Sequence, residues 1–319
     1  MSATIRHDDF TAISQEFLHA YFPTGYSLQP IEGDAGARQY FRIEASTPGY
    51  LLMVDPDPQQ LEQYIQCLRT FQQHQALVPT LYGYDLTHGL LLQSDFGDQL
   101  LAQATQHQAI VPLYQRCIDN LALLQRMPQD HWAPFNAPRL RVEVDLAEQW
   151  YLITHTQQHI SPAKQHRLDQ LMQQLCQTVA ALPQTVVHRD YHSRNLFMLP
   201  EGVGMIDFQD AVYGPFLYDL ASLLRDYYHV LPDTTVQRLC HYYFQHLSPV
   251  PGYTESDLMR AFHTVALQRH YKCLGIFSRL HHRDKKPHYL SYLPTVQRYI
   301  HDATKQLPEY NDLVEIMGL

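Results

Sequence analysis

Residues 187–196 carry the sequence VHRDYHSRNL, and residues 205–208 carry MIDF after a short gap. The apolar strand predicted at residues 185–187 leads into a loop with a His-x-Asp triplet, and an Asn follows five residues after that Asp. A second apolar strand, predicted at residues 203–206, leads directly into another Asp. Three polar side chains therefore follow apolar strands, where a rigid scaffold can hold functional groups in place.

The three side chains are Asp190, Asn195 and Asp207. A hydroxyl that attacks the terminal phosphoryl group of ATP needs a carboxylate to orient it and to take its proton. The ATP phosphates need metal ions held by an amide oxygen and by a second carboxylate. The spacing is also close to the kinase signature H-R-D-L-x-x-x-N, which is followed by a metal-binding Asp. We therefore predict that Asp190 is the catalytic base and that Asn195 and Asp207 bind Mg²⁺.

Each of these motifs alone has a structural explanation. An isolated His-Arg-Asp is more often a solvated turn, and an Asp after an apolar run is more often a strand-end cap. The order strand, loop, strand, Glu-Gly turn, strand and Asp over residues 185–207 is much harder to obtain by chance. The combined spacing therefore favours phosphoryl transfer.

The same segments resemble a known family. HRDYHSRN at 188–195, IDF at 206–208 and PFLYDLA at 215–221 resemble the aminoglycoside phosphotransferase and small-molecule kinase family, relatives of the protein kinases. ARQYFR at 37–42 and LQSDFG at 92–97 narrow the resemblance. They are similar to the subgroup of anomeric kinases that phosphorylate N-acetylmuramate and N-acetylglucosamine during cell-wall recycling.

The resemblance implies a two-lobed, protein-kinase-like α+β fold. It places an antiparallel sheet with a helix in residues 1–95 and a helical lobe with the catalytic loop in residues 96–319. It also implies ATP and Mg²⁺ as cofactors and an amino sugar as the acceptor. Asp219 resembles the family's buried Asp that accepts hydrogen bonds from the backbone of the catalytic loop.

The nucleotide site is expected in the first lobe. Gly36 belongs to a glycine-containing hairpin tip, which can bring backbone N–H groups against phosphate oxygens, although such glycines also serve turn geometry alone. Ser94 and Asp95 begin the segment that resembles the hinge, where backbone groups hydrogen-bond adenine. We therefore predict that these three residues bind the cofactor.

The chain departs from the protein-kinase pattern on its third strand. Met53 stands where that pattern has a Lys that pairs with the ATP phosphates. Arg38 is our first candidate for the missing positive charge and Arg42 the second, because a guanidinium can clamp phosphate oxygens with two hydrogen bonds. The alternative is that both are strand residues that face solvent.

The acceptor is expected to be a small molecule. Asp219 follows Asp207 by a step of only twelve residues, and no Ala-Pro-Glu follows, whereas a protein kinase has a longer activation segment here to dock its peptide. Candidate acceptor-binding residues lie near the catalytic loop and on helices predicted at residues 141–156 and 220–230. They are Glu143, His192, Arg194, Asp210 and Arg225. Arg225 has the alternative of a simple helix ion pair.

The composition limits the kinds of partner and the cellular compartment that we expect for this protein. A net charge of -9 over 319 residues without a basic stripe argues against a nucleic-acid surface. No stretch approaches the length of a membrane helix, and the N-terminus lacks an apolar signal region. Five separated cysteines predict reduced thiols. We therefore expect a cytoplasmic protein with no membrane association and no obligate protein partner.

Two other functions stay open at this stage. An aminoglycoside or another small-molecule hydroxyl group is the alternative acceptor. A pseudokinase, which binds nucleotide or a partner without chemistry, is the alternative from a different class, and Met53 is the residue that suggests it. The filled positions 190, 195 and 207 favour an active enzyme.

Overall fold

A computed structural model describes residues 7–31, 38–45, 49–247 and 252–319, with side chains from residue 13 onward. The chain divides into two compact units. The first consists of residues 1–99 and 197–209, and the second of residues 100–196 and 210–319. The sequence analysis placed one boundary after residue 95, and that division stays a prediction.

Helices and strands alternate in the first part of the chain, and helices dominate the last part. The first elements are α1 (His7–His19), β1 (Ser27–Ile31), β2 (Gln39–Glu44), β3 (Tyr50–Val54), α2 (Pro58–Gln73), β4 (Leu81–Asp85) and β5 (Leu90–Ser94). Then follow α3 (Leu101–Ala104), α4 (Ile110–Gln125), α5 (Ala137–Leu146), a π-helix (Ala147–His155), α6 (Pro162–Ala180), β6 (Gln184–Val187), β7 (Leu196–Leu199), β8 (Gly202–Met205) and β9 (Val212–Pro215). The last are α7 (Tyr218–Leu224), α8 (Asp233–His246), α9 (Glu255–His282), a 3₁₀-helix (Pro287–Tyr292), α10 (Leu293–Gln306), a second 3₁₀-helix (Pro308–Tyr310) and α11 (Asn311–Met317).

The first unit is built on an antiparallel sheet with the strand order β1-β2-β3-β5-β4. Leu18, Ile43, Leu52 and Leu92 belong to one buried cluster on this sheet. The α2 helix starts at Asp57, whose side chain accepts hydrogen bonds from two backbone N–H groups of the first turn. This sheet and helix confirm the predicted α+β class for the unit.

The segment 197–209 belongs to the first unit because it contacts residues of that unit. The N–H of Met205 donates to the carbonyl of Leu77 at 2.8 Å. Phe208 is fully buried, and its ring lies 5.0 Å from the Tyr64 ring and 5.4 Å from the Phe71 ring. Both rings come from α2, so Phe208 fixes the residue before it, Asp207, relative to that helix.

The second unit is mostly helical and is organised around α9. This helix packs against α5, the π-helix, α7 and α10, and its middle is buried on nearly all sides. Thr254 and Asp257 form a capping box at its start. Polar residues in the middle of α9 are therefore interior groups. No helix in the described part of the chain is both long and apolar enough to cross a bilayer.

Two predicted helices differ from the structure. The helix predicted at 141–156 begins earlier, at Ala137, because the Asn136 side chain caps the N–H of Arg139, and it continues as a π-helix from Ala147. A Cβ on Gly275 would lie 2.3 Å from the backbone of Leu146, so α9 touches the chain where the helix type changes. The helix predicted at 220–230 spans only Tyr218–Leu224.

Two strand predictions were also wrong. The strand predicted at 77–84 begins only at Leu81, and β9 at Val212–Pro215 was missed because its partner, β6, lies far away in the sequence. The bounds of β2 and β3 were predicted as found. All five cysteines are free thiols, as predicted.

Candidate active site

The catalytic loop of the second unit is held at both ends by buried carboxylates. Asp219 accepts hydrogen bonds from the backbone N–H groups of His188 at 2.7 Å and Arg189 at 3.0 Å, which confirms its predicted role. Asp226 accepts from the N–H of Ser193 at 3.0 Å and from its hydroxyl at 2.5 Å. Burial raises the pKa of the Asp219 carboxyl to about 6. The loop between these anchors is therefore rigidly placed.

The turn into the loop uses an unusual backbone conformation. Arg189 has a φ of 75°, in the left-handed region that non-glycine residues rarely adopt. Such strain persists only where the surroundings impose it, and it is concentrated at functional sites. Here the Arg189 side chain is bonded to the Glu143 carboxylate and donates to the carbonyl of Asp210 at 3.3 Å. The conformation directs the next residue, Asp190, away from β6.

Asp190 shares a cation with Glu143. The Lys272 ammonium of α9 lies 3.9 Å from Asp190 Oδ1 and 3.6 Å from Glu143 Oε1. The Lys272 side chain is 7% exposed, whereas that of Asp190 is 34% exposed. The pair therefore has a buried cationic end and an accessible carboxylate end.

This arrangement keeps the carboxylate ionised. Burial alone would raise the pKa of Asp190. The neighbouring positive charges, with Lys272 the strongest, outweigh burial and hold that pKa well below its usual range. The same pairing holds the pKa of Lys272 above its usual range despite burial. Asp190 is thus an anion at any physiological pH.

Asn195 is oriented by the loop itself. Its amide nitrogen donates to the carbonyl of Asp190 at 2.9 Å, and its backbone N–H donates to the carbonyl of His192 at 2.9 Å. Below the loop, the Tyr191 hydroxyl donates to the carbonyl of Cys117 at 2.8 Å. Asn195 and Asp190 are therefore placed by one set of bonds within the second unit.

Asp207 lies in the first unit, two residues after the end of β8. Its φ is 63°, and its carboxylate accepts a hydrogen bond from Gln209 Nε2 at 2.7 Å. The adjacent Phe208 is buried. Carboxylate and amide oxygens are hard ligands of the kind that Mg²⁺ prefers, so the chemistry of each side chain suits this ion, and metal binding by Asn195 and Asp207 stays a prediction.

The two candidate arginines of the first unit have carboxylate partners. Arg38 Nε donates to Asp55 at 2.6 Å, and its guanidinium lies 5.3 Å from the Tyr64 ring. Arg42 binds Asp95 at 2.5 Å and Asp98 at 2.8 Å. Both are therefore held in defined positions, and a phosphate-binding role for either stays a prediction.

The hinge candidates already have backbone partners in the first unit. The N–H of Ser94 donates to Thr80 at 2.9 Å, and that of Asp95 donates to Gly49 at 2.8 Å. Met53, in place of the kinase Lys, is fully buried in the sheet. Gly36 lies outside the described residues. Adenine binding by Ser94 and Asp95 stays a prediction.

The acceptor candidates divide into two groups. Glu143, His192 and Asp210 lie around Asp190 and Arg189: His192 lowers the pKa of Asp190, and Asp210 approaches Arg189 to 3.9 Å. The remaining two contact other groups. Arg194 stacks at 4.0 Å on the Tyr228 ring, and Arg225 pairs with Asp233 at 2.6 Å.

Arg225 also lines a cavity of about 580 Å³ formed by α8, α9 and α10. Its pairing with Asp233 matches the ion-pair alternative that the sequence left open. None of these observations tests acceptor binding, so the roles of these residues stay predictions.

Sequence reasoning missed three groups at this site: Lys272, Arg269 and Asp226. The available signal was the pair of cations at positions 269 and 272 in the middle of a long helix whose neighbouring segments 264–267 and 273–277 are mostly apolar. Cations at such positions must be paired or ligand-bound, since burial of an isolated charge is costly. Their partners, Glu143 and Asp190, are more than a hundred and about eighty residues away in the chain, and helix periodicity carries no information about them.

Known proteins share this fold and this sequence. Residues 27–258 match the phosphotransferase enzyme family, and the chain belongs to that family. N-acetylmuramate/N-acetylglucosamine kinase of Pseudomonas putida strain KT2440 is 32% identical over 93% of this chain and 88% of its own length. The protein of the same name from Neisseria meningitidis serogroup B is 28% identical over 95% of each chain.

Solved structures agree on the fold. A choline/ethanolamine kinase family protein from Mesorhizobium loti has a TM-score of 0.63 at 14% identity, covering 97% of this chain and 99% of that one. The ADP-bound aminoglycoside phosphotransferase APH(2'')-Ib has a TM-score of 0.62 at 13% identity, covering 92% and 98%. The predicted kinase-like fold is thereby confirmed.

Proposed function

We propose that this protein is an ATP- and Mg²⁺-dependent kinase that phosphorylates the anomeric hydroxyl of N-acetylmuramate and N-acetylglucosamine in the cytoplasm. The observation that carries the proposal is the Asp190 carboxylate, which is accessible, fixed by a loop with two anchors, and kept ionised by Lys272. The similarity over nearly the whole chain to kinases named for these two sugars supports the choice of acceptor.

Asp190 orients the acceptor hydroxyl towards the terminal phosphorus of ATP. The new bond forms between the hydroxyl oxygen and that phosphorus, the bond to the departing ADP oxygen breaks, and the hydroxyl proton passes to Asp190. Because the pKa of Asp190 lies far below that of a sugar hydroxyl, proton transfer comes late. This order suits the loose transition state of phosphoryl transfer, in which positioning and charge dominate.

Asn195 and Asp207 are the residues that would hold Mg²⁺, through an amide and a carboxylate oxygen. When bound, the ion neutralises charge on the ATP phosphates. Arg38 is the protein cation that we assign to the phosphates, with Arg42 as the second choice. Arg38 is held by its ion pair with the buried Asp55, so its guanidinium group is oriented in the absence of a ligand.

The charges near Asp190 speak against an aminoglycoside acceptor. Lys272 and Arg269 are both buried on α9, and both help to lower the pKa of Asp190. A polycationic acceptor would meet this positive charge as it entered, and like charges in a low dielectric repel strongly. Two observations disfavour the pseudokinase alternative: Met53 is a buried core residue, and the Asp190 carboxylate is partly exposed beside Lys272.

The test is ATP consumption with Mg²⁺ against N-acetylmuramate, N-acetylglucosamine, other hexoses, choline and aminoglycosides. We expect turnover with the two N-acetylated sugars. Turnover only with an aminoglycoside would keep the mechanism and overturn the acceptor. Nucleotide binding without transfer to any member of the panel would overturn the enzyme assignment and favour a pseudokinase.

A further inference from the structure

The middle of α9 places two buried cations on one face. As whole residues, Arg269 is 3% exposed and Lys272 is 5% exposed, and they stand three positions apart in the chain. Side chains three apart on a helix are neighbours, with Cβ atoms about 5–6 Å apart. Both cations interact electrostatically with Asp190, so Arg269 lies near the residue that we assign to the acceptor hydroxyl.

The two cations differ in their partners. Lys272 lies between the carboxylates of Asp190 and Glu143. Arg269 has its guanidinium 5.5 Å from the Tyr227 ring, and its Nε and Nη1 have no hydrogen-bond partner among the described residues. A buried guanidinium without an acceptor is costly, because its lost hydration is not replaced. The surroundings of Arg269 therefore suit a bound anion that would accept hydrogen bonds from its Nε and Nη1.

The charges of the cluster point the same way. Two carboxylates, Asp190 and Glu143, face the three cations Arg189, Lys272 and Arg269. A third carboxylate, Asp210, approaches Arg189 to 3.9 Å, and Asp219 is engaged by two backbone N–H groups. None of the ion pairs among the described residues includes Arg269, and a guanidinium is matched in shape to a carboxylate, which it binds with two parallel hydrogen bonds.

The two acceptors in the proposed function differ in whether they carry a carboxylate. N-acetylmuramate carries a carboxylate on an ether substituent of the sugar ring, and N-acetylglucosamine has a neutral hydroxyl there. If the anomeric hydroxyl lies at Asp190, next to Lys272, the ether substituent, which is attached two ring carbons away, lies about one ring width from it. The spacing along α9 from Lys272 to Arg269 is of that size.

We propose that Arg269, beside Lys272, forms a subsite on α9 that binds the carboxylate of an acidic sugar acceptor and favours it over its neutral analogue. The inference rests on the proposed function, since it concerns the acceptor of the same reaction. It makes Arg269 a residue for specificity, while Asp190 and Lys272 serve both acceptors alike. N-acetylmuramate is the acidic acceptor in question.

The experiment measures kcat/KM for both sugars in Arg269→Gln, Arg269→Lys and the matched control Arg260→Gln. Arg260 lies on the same helix, and it pairs with Glu309 at the surface. We expect Arg269→Gln to lose roughly 10- to 100-fold with N-acetylmuramate, the size of a charged hydrogen-bonding interaction, and less than about threefold with N-acetylglucosamine. Arg269→Lys should recover part of the loss, and the control should change neither value.

Turnover of the neutral sugar serves as the internal test of folding in each variant. Equal losses with both sugars in folded Arg269→Gln would overturn the subsite, since Arg269 would then serve the common chemistry. An unchanged preference would overturn it too. Both results leave the proposed function standing, whereas failure of the wild-type protein to phosphorylate either sugar overturns that function first. If Arg269→Gln is unfolded, the Lys variant gives the same comparison between the two sugars.

Discussion

The cations of the first unit and those of the second unit differ in where their carboxylate partners come from. Arg38 binds Asp55, which follows β3, the strand next to β2, and Arg42 binds Asp95, which follows β5, the next strand of the sheet after β3. Lys272 is wedged between two carboxylates that come from other parts of its unit. The first arrangement follows from strand pairing and gives local order, whereas the second exists only once distant helices have packed.

The two kinds of pairing separate charges that stabilise the fold from charges that act on the candidate catalytic carboxylate. In the first unit Arg38 and Arg42 are each neutralised by an aspartate that follows a strand of the same sheet. In the second unit the cations of α9 outnumber what Glu143 alone neutralises, and the excess acts on Asp190. We therefore expect substitutions on α9 and at Asp190 to change catalysis most, and substitutions of the sheet arginines to change it less.

The largest effect is expected from removal of the carboxylate itself. Asp190→Asn should lower turnover by roughly 10²- to 10⁴-fold, the usual contribution of a positioned base, while ATP still binds. Rapid-quench or coupled assays and a nucleotide titration measure the two quantities. Asp145→Asn, a surface carboxylate paired with Arg141, is the control. An Asp190→Asn protein with wild-type turnover would contradict the assignment.

Lys272→Met should come next, because it leaves two carboxylates facing each other without their shared cation. Breaking a buried ion pair costs about 3–5 kcal/mol in the free energy of unfolding, which urea denaturation measures. The pKa of Asp190 is lowered in the wild-type protein, so its carboxylate persists at acid pH. Without Lys272 that pKa rises, and the acid limb of kcat/KM moves to higher pH.

Lys272→Arg keeps the charge and should leave the acid limb near its wild-type position. If Lys272→Met is destabilised but its acid limb does not move, Lys272 is structural only. That result would remove the contrast between the two units.

Arg38→Gln should have an intermediate effect. It leaves the buried Asp55 without its cation, at a cost of about 1–3 kcal/mol in stability. If Arg38 also binds phosphate, KM for ATP rises in addition, and calorimetry shows weaker ATP binding. The double variant with Asp55→Asn separates the two, because it should regain stability without regaining ATP affinity. Unchanged ATP affinity in Arg38→Gln would make this arginine purely structural.

Arg42→Gln should give the smallest effect. One of its partners, Asp98, is 80% exposed, and solvent-exposed ion pairs contribute about 0–1 kcal/mol. Thermal unfolding and KM for ATP should both stay close to the wild-type values. A loss of ATP affinity as large as that of Arg38→Gln would instead make Arg42 the phosphate ligand.

The sequence was sufficient where the signal is local. The strands β2 and β3 were predicted with their observed bounds, because each is an apolar run beside turn residues. The role of Asp219 was implied by a short motif and is confirmed by its two hydrogen bonds to the loop. Asp190 and Asn195 also lie within one loop, so their spacing can be read from the sequence. Such features need only a few neighbouring residues to be recognised.

The rest depends on contacts between distant segments. The sequence marks Lys272 as a helix residue, and only packing of α9 against α5 and the loop brings it to Glu143 and Asp190. The same holds for Asp226, whose bond to the backbone of Ser193 no local pattern indicated. The switch from α-helix to π-helix at Ala147 likewise reflects the close approach of Gly275, which no local pattern encodes.

The central claim is that Asp190 directs phosphoryl transfer to the anomeric hydroxyl of an N-acetylated amino sugar. Phosphorus NMR of the product formed from N-acetylmuramate and ATP tests it most directly, with carbon-1-labelled sugar to identify the site of attachment. We predict a sugar 1-phosphate whose phosphorus couples to the anomeric carbon. A phosphate on any other hydroxyl, or no sugar phosphate at all, would contradict the account.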